Sequence, residues 1–553
     1  MKMISNTLRH SKYKLLIILS FILFTPALAQ QPAIKKGDQV NVQLQLQKLS
    51  EAFNAIGKYY VDTINYDTIV ETAINEMLKK LDPHSIYINK KDVNAMNSPL
   101  QGSFEGIGIY YNILNDTALI ISPIAGSPSD KAGILPGDRI IKINSVDITG
   151  TTITIQKIKE HIVGKMGEPV ELTVKRIELP EPFTVTVIRD KIPIYSIEAV
   201  YMLTNNIGYI RLNRFSATSL QEFRSSLSRL QSEGMESLVL DLQGNSGGYL
   251  NAAIELSDEF LENKELIVYT EGISSPRRNY YGKSNDMFEK GKLVLIIDEG
   301  SASASEILAG AIQDWDRGLI IGRRSFGKGL VQRPFTLPDG SMIRLTTARY
   351  YTPTGRSIQK PYVADYGDYR NDLLNRWNTG ELISADSIKV EVSQIFYTLN
   401  KKRKVYGGGG IIPDVFIPID TSAFSNSYLN ILKTGYLNKF VLAYVDKNRK
   451  FIKDNYTKFS VFQKEFEVSD PIMEQFLTEL NAQKLAPKQY LPETMNRATL
   501  QQLKIQFKAV LARDLWTNQE FYEIINHSSP EILQAIELLN NSKLYKKSLT
   551  SDH

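Results

Sequence analysis

Three serines stand at alternate positions in the segment DEGSASASEILAG, which runs from Asp298 to Gly310. A serine hydroxyl becomes a good nucleophile only when a neighbouring base takes its proton, so this candidate active site needs a second residue. The segment also has a purely structural interpretation, because Ser303 followed by Glu306 fits the Ser-x-x-Glu capping box that begins helices. Apolar residues at helical spacing follow, so the segment alone favours a capped helix over a nucleophile.

A base for such a serine must come from elsewhere in the chain. The sequence has five histidines, and none lies in the region of alternating strands and helices that contains the serines, so a Ser-His-Asp triad is not favoured. A lysine is the alternative, because burial lowers the pKa of its ammonium group. Lys328 follows the strand GLIIG in the glycine-rich loop RRSFGKG, which lets it turn inward. A Ser–Lys pair is therefore a hypothesis that spacing alone does not prove.

The loop QGNSGG follows another predicted strand, SLVLDL. Ligands of parallel α/β sheets bind beyond the carboxyl ends of the strands, and sequential units usually place their strands side by side. We therefore expect Gly247 and Gly248 to face the start of the helix behind Ser303, where exposed backbone N–H groups can stabilise an oxyanion. In isolation, NSGG is equally well a tight turn before a helix.

A nucleotide site competes for Lys328. Gly322 and Gly327-Lys328 nearly match the phosphate-binding loop G-x-x-x-x-G-K-[ST], and they follow a strand as that loop should. However, Gly329 stands where the magnesium-binding Ser or Thr belongs, and strand-like residues follow instead of a helix. The nucleotide interpretation is therefore not favoured.

The bulk properties describe an ordinary globular protein. The 553 residues are 42% hydrophobic and 23% charged, with a net charge of +5 and no concentrated basic patch that would indicate nucleic acid binding. Cysteine is absent, which excludes disulfides, thiol catalysis and zinc-thiolate sites. Basic residues before the apolar run LLIILSFILF, and then Ala27-Leu28-Ala29, form the layout of a secretory signal peptide over residues 1–29. An uncleaved membrane anchor is the alternative, although the run is short for a span of about 20 residues.

The remaining chain divides into four regions by its patterns of hydrophobicity. Helical spacing dominates residues 30–98, short strands and glycine turns dominate 99–190, and strands alternate with helices over 191–420. Residues 421–553 are amphipathic helix without a chemical signature, and 357–404 form a polar excursion. The predicted fold class is multidomain α/β: an α/β core with a mostly parallel sheet, a small β-rich domain and helical regions at both ends.

The motifs occur in an order that resembles one family. LDPHS at 81–85 precedes GSFEGIGI, and then come DLQGNSGG, SASASEI, FGKGLVQ, RYYTPTGRSIQ and GGIIPD. This ordered set resembles the carboxyl-terminal processing proteases, serine peptidases that carry a PDZ domain. The resemblance covers roughly residues 40 to 420, so it assigns 99–190 to a PDZ domain and 191–420 to a peptidase core.

The resemblance implies roles for individual residues. Ser303 would be the nucleophile, Lys328 the general base and Gln332 the residue that assists Lys328, with no cofactor and no metal. The oxyanion donors would be the backbone N–H groups of Gly247, Gly248 and Ala304. The chain departs from the family at Gln243, where the family usually has Arg, so any ion pair made by that Arg is in doubt.

The PDZ segment implies a partner. PDZ domains bind a peptide as an added strand and capture its terminal carboxylate with backbone N–H groups. The matching carboxylate loop follows Glu105 and consists of Gly106, Ile107, Gly108 and Ile109, with the helix TIQKIKEHIVG as the other groove wall. The implied function is an exported, periplasmic or cell-envelope serine endopeptidase that acts on flexible protein C-termini. The alternative is an inactive PDZ scaffold, and an adaptor protein and a homo-oligomer stay open as partners.

Overall fold

A computed structural model of the chain describes residues 36–283, 287–362, 366–485, 487 and 489–550. The predicted signal peptide, 1–29, lies outside these residues. The chain divides into two compact units, Met1–Ile74 and Asn75–His553. In the part of the chain that the structure describes, no helix combines the length and apolarity that crossing a membrane requires.

The N-terminal region is helical, as the sequence predicts. Its elements are α1 (Lys36–Tyr59), α2 (Tyr66–Lys79), β1 (Ile86–Ile88) and α3 (Val93–Gln101). The LDPHS motif forms the turn between α2 and β1. Both carboxylate oxygens of the buried Asp82 hold this turn, one accepting the backbone N–H groups of His84 and Ser85 and the other the hydroxyl of Ser85.

The β-rich domain is an antiparallel sheet with the strand order β3-β4-β5-β7-β8, and β6 pairs with β5. A separate two-stranded ladder joins β2 to β9. The elements are β2 (Ser103–Gly106), β3 (Ile109–Leu114), β4 (Thr117–Pro123), α4 (Pro128–Lys131), β5 (Arg139–Ile143), β6 (Val146–Asp147), α5 (Ile155–Ile162), β7 (Pro169–Lys175), β8 (Phe183–Ile188) and β9 (Asp190–Pro193). Since β3 is at the edge of its sheet, its outer side is not paired with another strand of that sheet.

The α/β core contains the predicted parallel sheet. Its strand order is β10-β11-β12-β15-β16-β21, where β21 is Val415–Phe416, with β10 antiparallel and the others parallel. The elements up to the second sheet are β10 (Ile197–Met202), β11 (Ile207–Leu212), α6 (Ser219–Ser232), β12 (Ser237–Asp241), α7 (Leu250–Asp258), β13 (Leu266–Gly272), β14 (Ser275–Tyr281), β15 (Lys292–Ile297), α8 (Ala304–Asp314) and β16 (Leu319–Gly322). The central strands are buried on both faces, which explains their continuous apolar sequences SLVLD and LVLII.

A second sheet brings distant segments to the core. It has the order β1-β18-β13-β14, and β17 pairs with β18. The elements that complete this region are β17 (Leu330–Thr336), β18 (Met342–Tyr351), α9 (Gly367–Arg370), α10 (Asp372–Asn378), β19 (Ile395–Tyr397), β20 (Lys404–Tyr406) and β21 (Val415–Phe416). Because β1 pairs with β18, the LDPHS turn lies beside the strands that follow Lys328.

The C-terminal extension is helical, as predicted, and contacts two other regions. Its helices are α11 (Asn426–Lys433), α12 (Tyr436–Asn455), α13 (Phe459–Glu465), α14 (Asp470–Ala482), α15 (Arg497–Leu515), α16 (Asn518–Asn526), α17 (Pro530–Asn540) and α18 (Ser542–Ser548). Leu442 of α12 packs against Leu114 and Leu119 of the β-rich domain. Residues of α17 and α18 form one apolar cluster with the core sheet. The extension therefore bridges the β-rich domain and the core.

Candidate active site

Ser303 stands at the turn from β15 into α8 and has a strained backbone. Its φ of 54° and ψ of −110° lie in a region that residues with a side chain rarely adopt. The neighbouring serines are fully buried, whereas Ser303 is partly exposed. Backbone strain of this kind costs about 1 to 3 kcal/mol and is held by its surroundings, typically at functional sites. Of the three serines, Ser303 is therefore the one placed for chemistry.

The loop that follows β12 lies against the backbone around Ser303. β12 and β15, the strands that precede this loop and Ser303, are neighbours in the sheet, as the sequence predicts. A Cβ atom on Gly247 would lie 2.8 Å from the carbonyl oxygen of Ala302 and 2.9 Å from the nitrogen of Ala304. On Gly248 it would lie 2.0 Å from the carbonyl oxygen of Phe215. Only glycine fits these two positions, so the NSGG loop serves close approach and is not merely a turn.

The structure corrects one of the three expected oxyanion donors. The N–H of Gly247 donates to Oδ1 of Asn245 at 2.9 Å, so it is not available to a substrate. Among the described residues, no acceptor bonds to the N–H of Gly248 or of Ala304. Ala304 is also the first residue of α8, where the helix dipole favours negative charge. The candidate oxyanion donors are therefore Gly248 and Ala304, and Gly247 supplies the close contact.

Glu306 joins the segments of Ser303 and Lys328. Its Oε2 accepts the backbone N–H of Ser303 at 2.8 Å and that of Lys328 at 2.9 Å. Its Oε1 accepts the hydroxyl of Ser325 at 2.5 Å and the N–H of Gly327 at 2.7 Å. Glu306 is 1% exposed. Burial raises its pKa, and these four hydrogen bonds oppose that shift. The capping residue predicted from the sequence thus also fixes the loop of the candidate base.

Tyr350 makes a second connection that the sequence interpretation missed. Its hydroxyl lies 3.0 Å from the carbonyl oxygen of Ser303 and 2.7 Å from that of Lys328. Burial raises its pKa well above the ordinary value of 10.0, so the hydroxyl stays neutral and donates. The motif RYYTPTGRSIQ contains this tyrosine, but nothing in its pattern singles Tyr350 out.

Lys328 has the environment of a base. Its ammonium group is largely desolvated, which lowers its pKa, and the charge of Arg344 lowers it further, while Glu306 and Asp82 oppose the shift. Its Nζ donates to Oε1 of Gln332 at 3.1 Å. Gln332 is in turn oriented by its own Nε2, which donates to the backbone carbonyl of His84. The LDPHS turn therefore orients Gln332, and Gln332 orients the amine of Lys328.

His84 is the histidine that sequence reasoning placed away from the site. Its Nε2 lies 2.5 Å from the hydroxyl of Tyr369, and its ring packs edge-on against Tyr369 and Phe326. Burial, followed by the charge of Lys328, lowers the pKa of His84 to about 4, so the imidazole is neutral beside the candidate base. The LDPHS motif is the sequence feature that could have drawn attention to His84, but only the pairing of β1 with β18 brings this motif to Lys328.

The predicted carboxylate loop lies between β2 and β3. Gly108 has a φ of 76°, and a Cβ there would lie 2.4 Å from that of Ser127. No described residue accepts the N–H groups of Ile107 and Gly108, whereas both their carbonyls are bonded. Ile107 and Ile109 share an apolar cluster with Ile158 and Ile162 of α5, the predicted second wall. The loop thus offers two free N–H groups at the start of an edge strand.

The described residues contain no cluster of three or more carboxylates and histidines that could hold a metal ion. The chemistry that this arrangement can perform is acyl transfer, with a serine, a desolvated lysine and backbone donors.

Four segments of the chain match known families. Residues 206–366 match peptidase family S41 and residues 119–176 match a PDZ domain. Residues 24–92 match the N-terminal domain of the activating protease CtpB. Residues 427–517 match a family of unknown function.

Individual relatives are similar to more than half of the chain. The carboxy-terminal-processing protease of Bartonella bacilliformis is 36% identical over 332 residues, which are 59% of this chain and 75% of the relative. CtpB of Bacillus subtilis is 33% identical over 339 residues, 61% of this chain and 70% of the relative. Among solved structures, the photosystem II D1 C-terminal processing protease is 28% identical with a TM-score of 0.32, covering 57% of this chain and 90% of that one. On the sequence matches, the chain belongs to the carboxy-terminal-processing proteases of peptidase family S41.

Proposed function

We propose that the protein is an exported serine endopeptidase that uses a Ser303–Lys328 dyad to cleave proteins engaged through their flexible C-terminal tails. In the first step, neutral Lys328 takes the proton of the Ser303 hydroxyl while the serine oxygen attacks the scissile carbonyl. Gln332 orients the lysine nitrogen through their 3.1 Å hydrogen bond. The carbonyl oxygen becomes an oxyanion between the N–H groups of Gly248 and Ala304.

Collapse of this intermediate completes acylation. Lys328 returns its proton to the leaving amine, the peptide bond breaks, and the acyl group stays on Ser303. Water then attacks the ester with Lys328 again as base, which releases the second product and the free serine. Besides the substrate, water is the one reactant that these steps consume.

One observation carries the proposal: Glu306 Oε2 accepts the backbone N–H groups of both Ser303 and Lys328. This shared acceptor supports a catalytic partnership between the two residues, although they come from different loops. The strained backbone of Ser303 and the lowered pKa of Lys328 agree with it.

The experiment incubates wild type and Ser303→Ala with an unfolded exported protein and identifies fragments by mass spectrometry. We expect fragments from wild type only, with circular dichroism showing that both wild type and Ser303→Ala are folded. Cleavage by Ser303→Ala at the wild-type rate would disprove that Ser303 is the nucleophile. Binding of the tails without cleavage by wild type would favour the inactive PDZ scaffold.

The proposal places tail binding in the loop at residues 106–109. The free N–H groups of Ile107 and Gly108 suit a terminal carboxylate, and edge strand β3 suits addition of a peptide strand. Holding a tail there raises the local concentration of the attached chain near Ser303.

Export is proposed from the signal-peptide layout of residues 1–29. N-terminal sequencing of the protein purified from the cell envelope tests it. A mature chain that begins at Gln30 is expected, whereas an intact Met1 on membrane-bound protein would indicate an uncleaved anchor.

A further inference from the structure

Arg211 of β11 holds the backbone of the loop that leads to the oxyanion glycines. Its Nη1 lies 2.5 Å from Oδ2 of Asp241, the last residue of β12, and its Nη2 donates to the carbonyl oxygen of Gln243 at 2.8 Å. Asp241 in turn accepts the N–H of Gln243 through its other carboxylate oxygen, at 2.9 Å. Arg211 and Asp241 together therefore hold both the N–H and the carbonyl of residue 243, four positions before Gly247.

The ion pair is well shielded from water. The side chains of Arg211 and Asp241 are 15% and 2% exposed, and the buried Tyr209 donates to Asp241 at 2.6 Å. Hydrogen bonds between charged groups that are shielded from water are stronger than those of exposed pairs. The side chain of residue 243 is an uncharged amide in this chain, so the cation that neutralises Asp241 comes from the neighbouring strand.

The C-terminal extension covers Arg211. The ring of Tyr522 in α16 lies 4.4 Å from the guanidinium carbon, within the range of a cation–π contact. The hydroxyl of Tyr522 donates to Glu198 at 2.9 Å, and Asn526 one turn later donates to Tyr201 at 2.8 Å. Both partners lie on β10, so α16 is seated along the edge of the core sheet with Tyr522 over the guanidinium.

We propose that Arg211 and Tyr522 are positioning residues for the oxyanion loop, so that the C-terminal extension completes the active site. Tyr522 keeps the guanidinium in place, the guanidinium and Asp241 hold residue 243, and this sets the position of the Gly248 N–H. The inference rests on the proposed peptidase function. A misplacement of about 1 Å in a catalytic group can cost about 100-fold in rate, so a partial shift of this loop should be visible in kcat.

The experiment measures kcat and KM for a short peptide with full-length Arg211→Gln and Tyr522→Leu. Their matched controls are Arg224→Gln and Tyr545→Leu. Arg224 pairs with the buried Glu259 away from the oxyanion loop, and Tyr545 of α18 bonds to Leu293 at the opposite end of β15. Tyr522→Phe keeps the ring over Arg211 and loses the hydroxyl that donates to Glu198.

We expect Arg211→Gln and Tyr522→Leu to lower kcat about tenfold or more with KM within about twofold, at temperatures where every variant is folded. The controls should keep kcat within about twofold of wild type while their melting temperatures fall, and Tyr522→Phe should lose less kcat than Tyr522→Leu because its ring stays over Arg211. Tyr522→Leu decides alone if Arg211→Gln does not fold. Losses of kcat no larger than in the controls, or effects confined to KM, would overturn the inference. Failure of wild type to cleave any peptide would instead disprove the proposed function.

Discussion

Ser303 and Lys328 share one hydrogen-bond acceptor, Oε2 of Glu306, which lies 2.8 Å from the backbone nitrogen of the first and 2.9 Å from that of the second. A carboxylate that accepts four hydrogen bonds while buried is firmly placed. The nucleophile and base of the proposed dyad are therefore positioned relative to a common group, and movement of either loop breaks a charge-assisted hydrogen bond.

The serines on either side of Ser303 should matter for stability and little for chemistry. Ser301 donates to the carbonyl of Leu242 at 2.8 Å, and Ser305 donates to that of Asn245 at 2.8 Å, so both tie the start of α8 and the turn before it to the segment that follows β12. We expect Ser301→Ala and Ser305→Ala each to lower the free energy of unfolding by about 1 kcal/mol and to retain substantial activity. Denaturant unfolding and peptide cleavage measure the two effects. If all three serine variants lose activity equally, the segment serves helix capping and not nucleophilic catalysis.

The sequence predicted the order of regions and the identity of the segments, because hydrophobic periods and glycine loops are local signals. The expectation that sequential strands lie side by side also placed Gly247 beside Ser303 correctly. Other features depend on long-range pairing that no local pattern encodes. His84 lies near Lys328 only because β1 pairs with β18. The conformation of the glycine loop directs the N–H of Gly247 to the side-chain oxygen of Asn245. Tyr522 contacts Arg211 across more than half of the chain, from a region whose sequence shows only amphipathic helix.

Tail capture predicts that a free terminal carboxylate matters. Ile107 and Gly108 offer unbonded N–H groups to an anion, and an amide cap removes the charge that they would bind. At low concentration, peptides with an amidated C-terminus should be cleaved more slowly than their free-acid forms, through a higher KM. Steady-state kinetics on matched peptide pairs, repeated with a variant lacking 102–188, measure this. Equal rates for the two forms in the full-length protein would rule out carboxylate capture.

The contact between the C-terminal extension and the β-rich domain should be a measurable coupling. Nη2 of Arg139 in β5 lies 2.6 Å from Oδ2 of Asp446 in α12, and the two side chains are 17% and 15% exposed. We expect Arg139→Asp and Asp446→Arg each to speed amide hydrogen exchange in β5 and α12, because like charges then face each other. The double exchange should restore protection, with a coupling energy of about 1 kcal/mol in a double-mutant cycle. Additive effects of the two substitutions would show that the ion pair does not join the domains.

The last prediction concerns the protonation of Lys328. Burial lowers its pKa below 10.5 in the folded enzyme, and only the neutral amine can accept the proton of Ser303. Activity as kcat/KM should therefore rise with pH through the lowered pKa of the free enzyme. Stability should change in the same direction: between the lowered pKa and 10.5 the unfolded chain binds more protons, so the contribution of Lys328 to the free energy of unfolding grows as pH rises.

His84 supplies the control for that pH profile, since its pKa of about 4 leaves it neutral over the working range and predicts no inflection near 6.5. Lys328→Arg keeps the charge but stays protonated, so it should be nearly inactive, whereas a lysine that only attracted an anion would be partly replaced by Arg. His84→Ala should still cleave in a single turnover, because the contact that orients Gln332 comes from the backbone carbonyl of residue 84. A Lys328→Arg enzyme near the wild-type rate, or a folded His84→Ala enzyme without single-turnover cleavage, would refute the dyad.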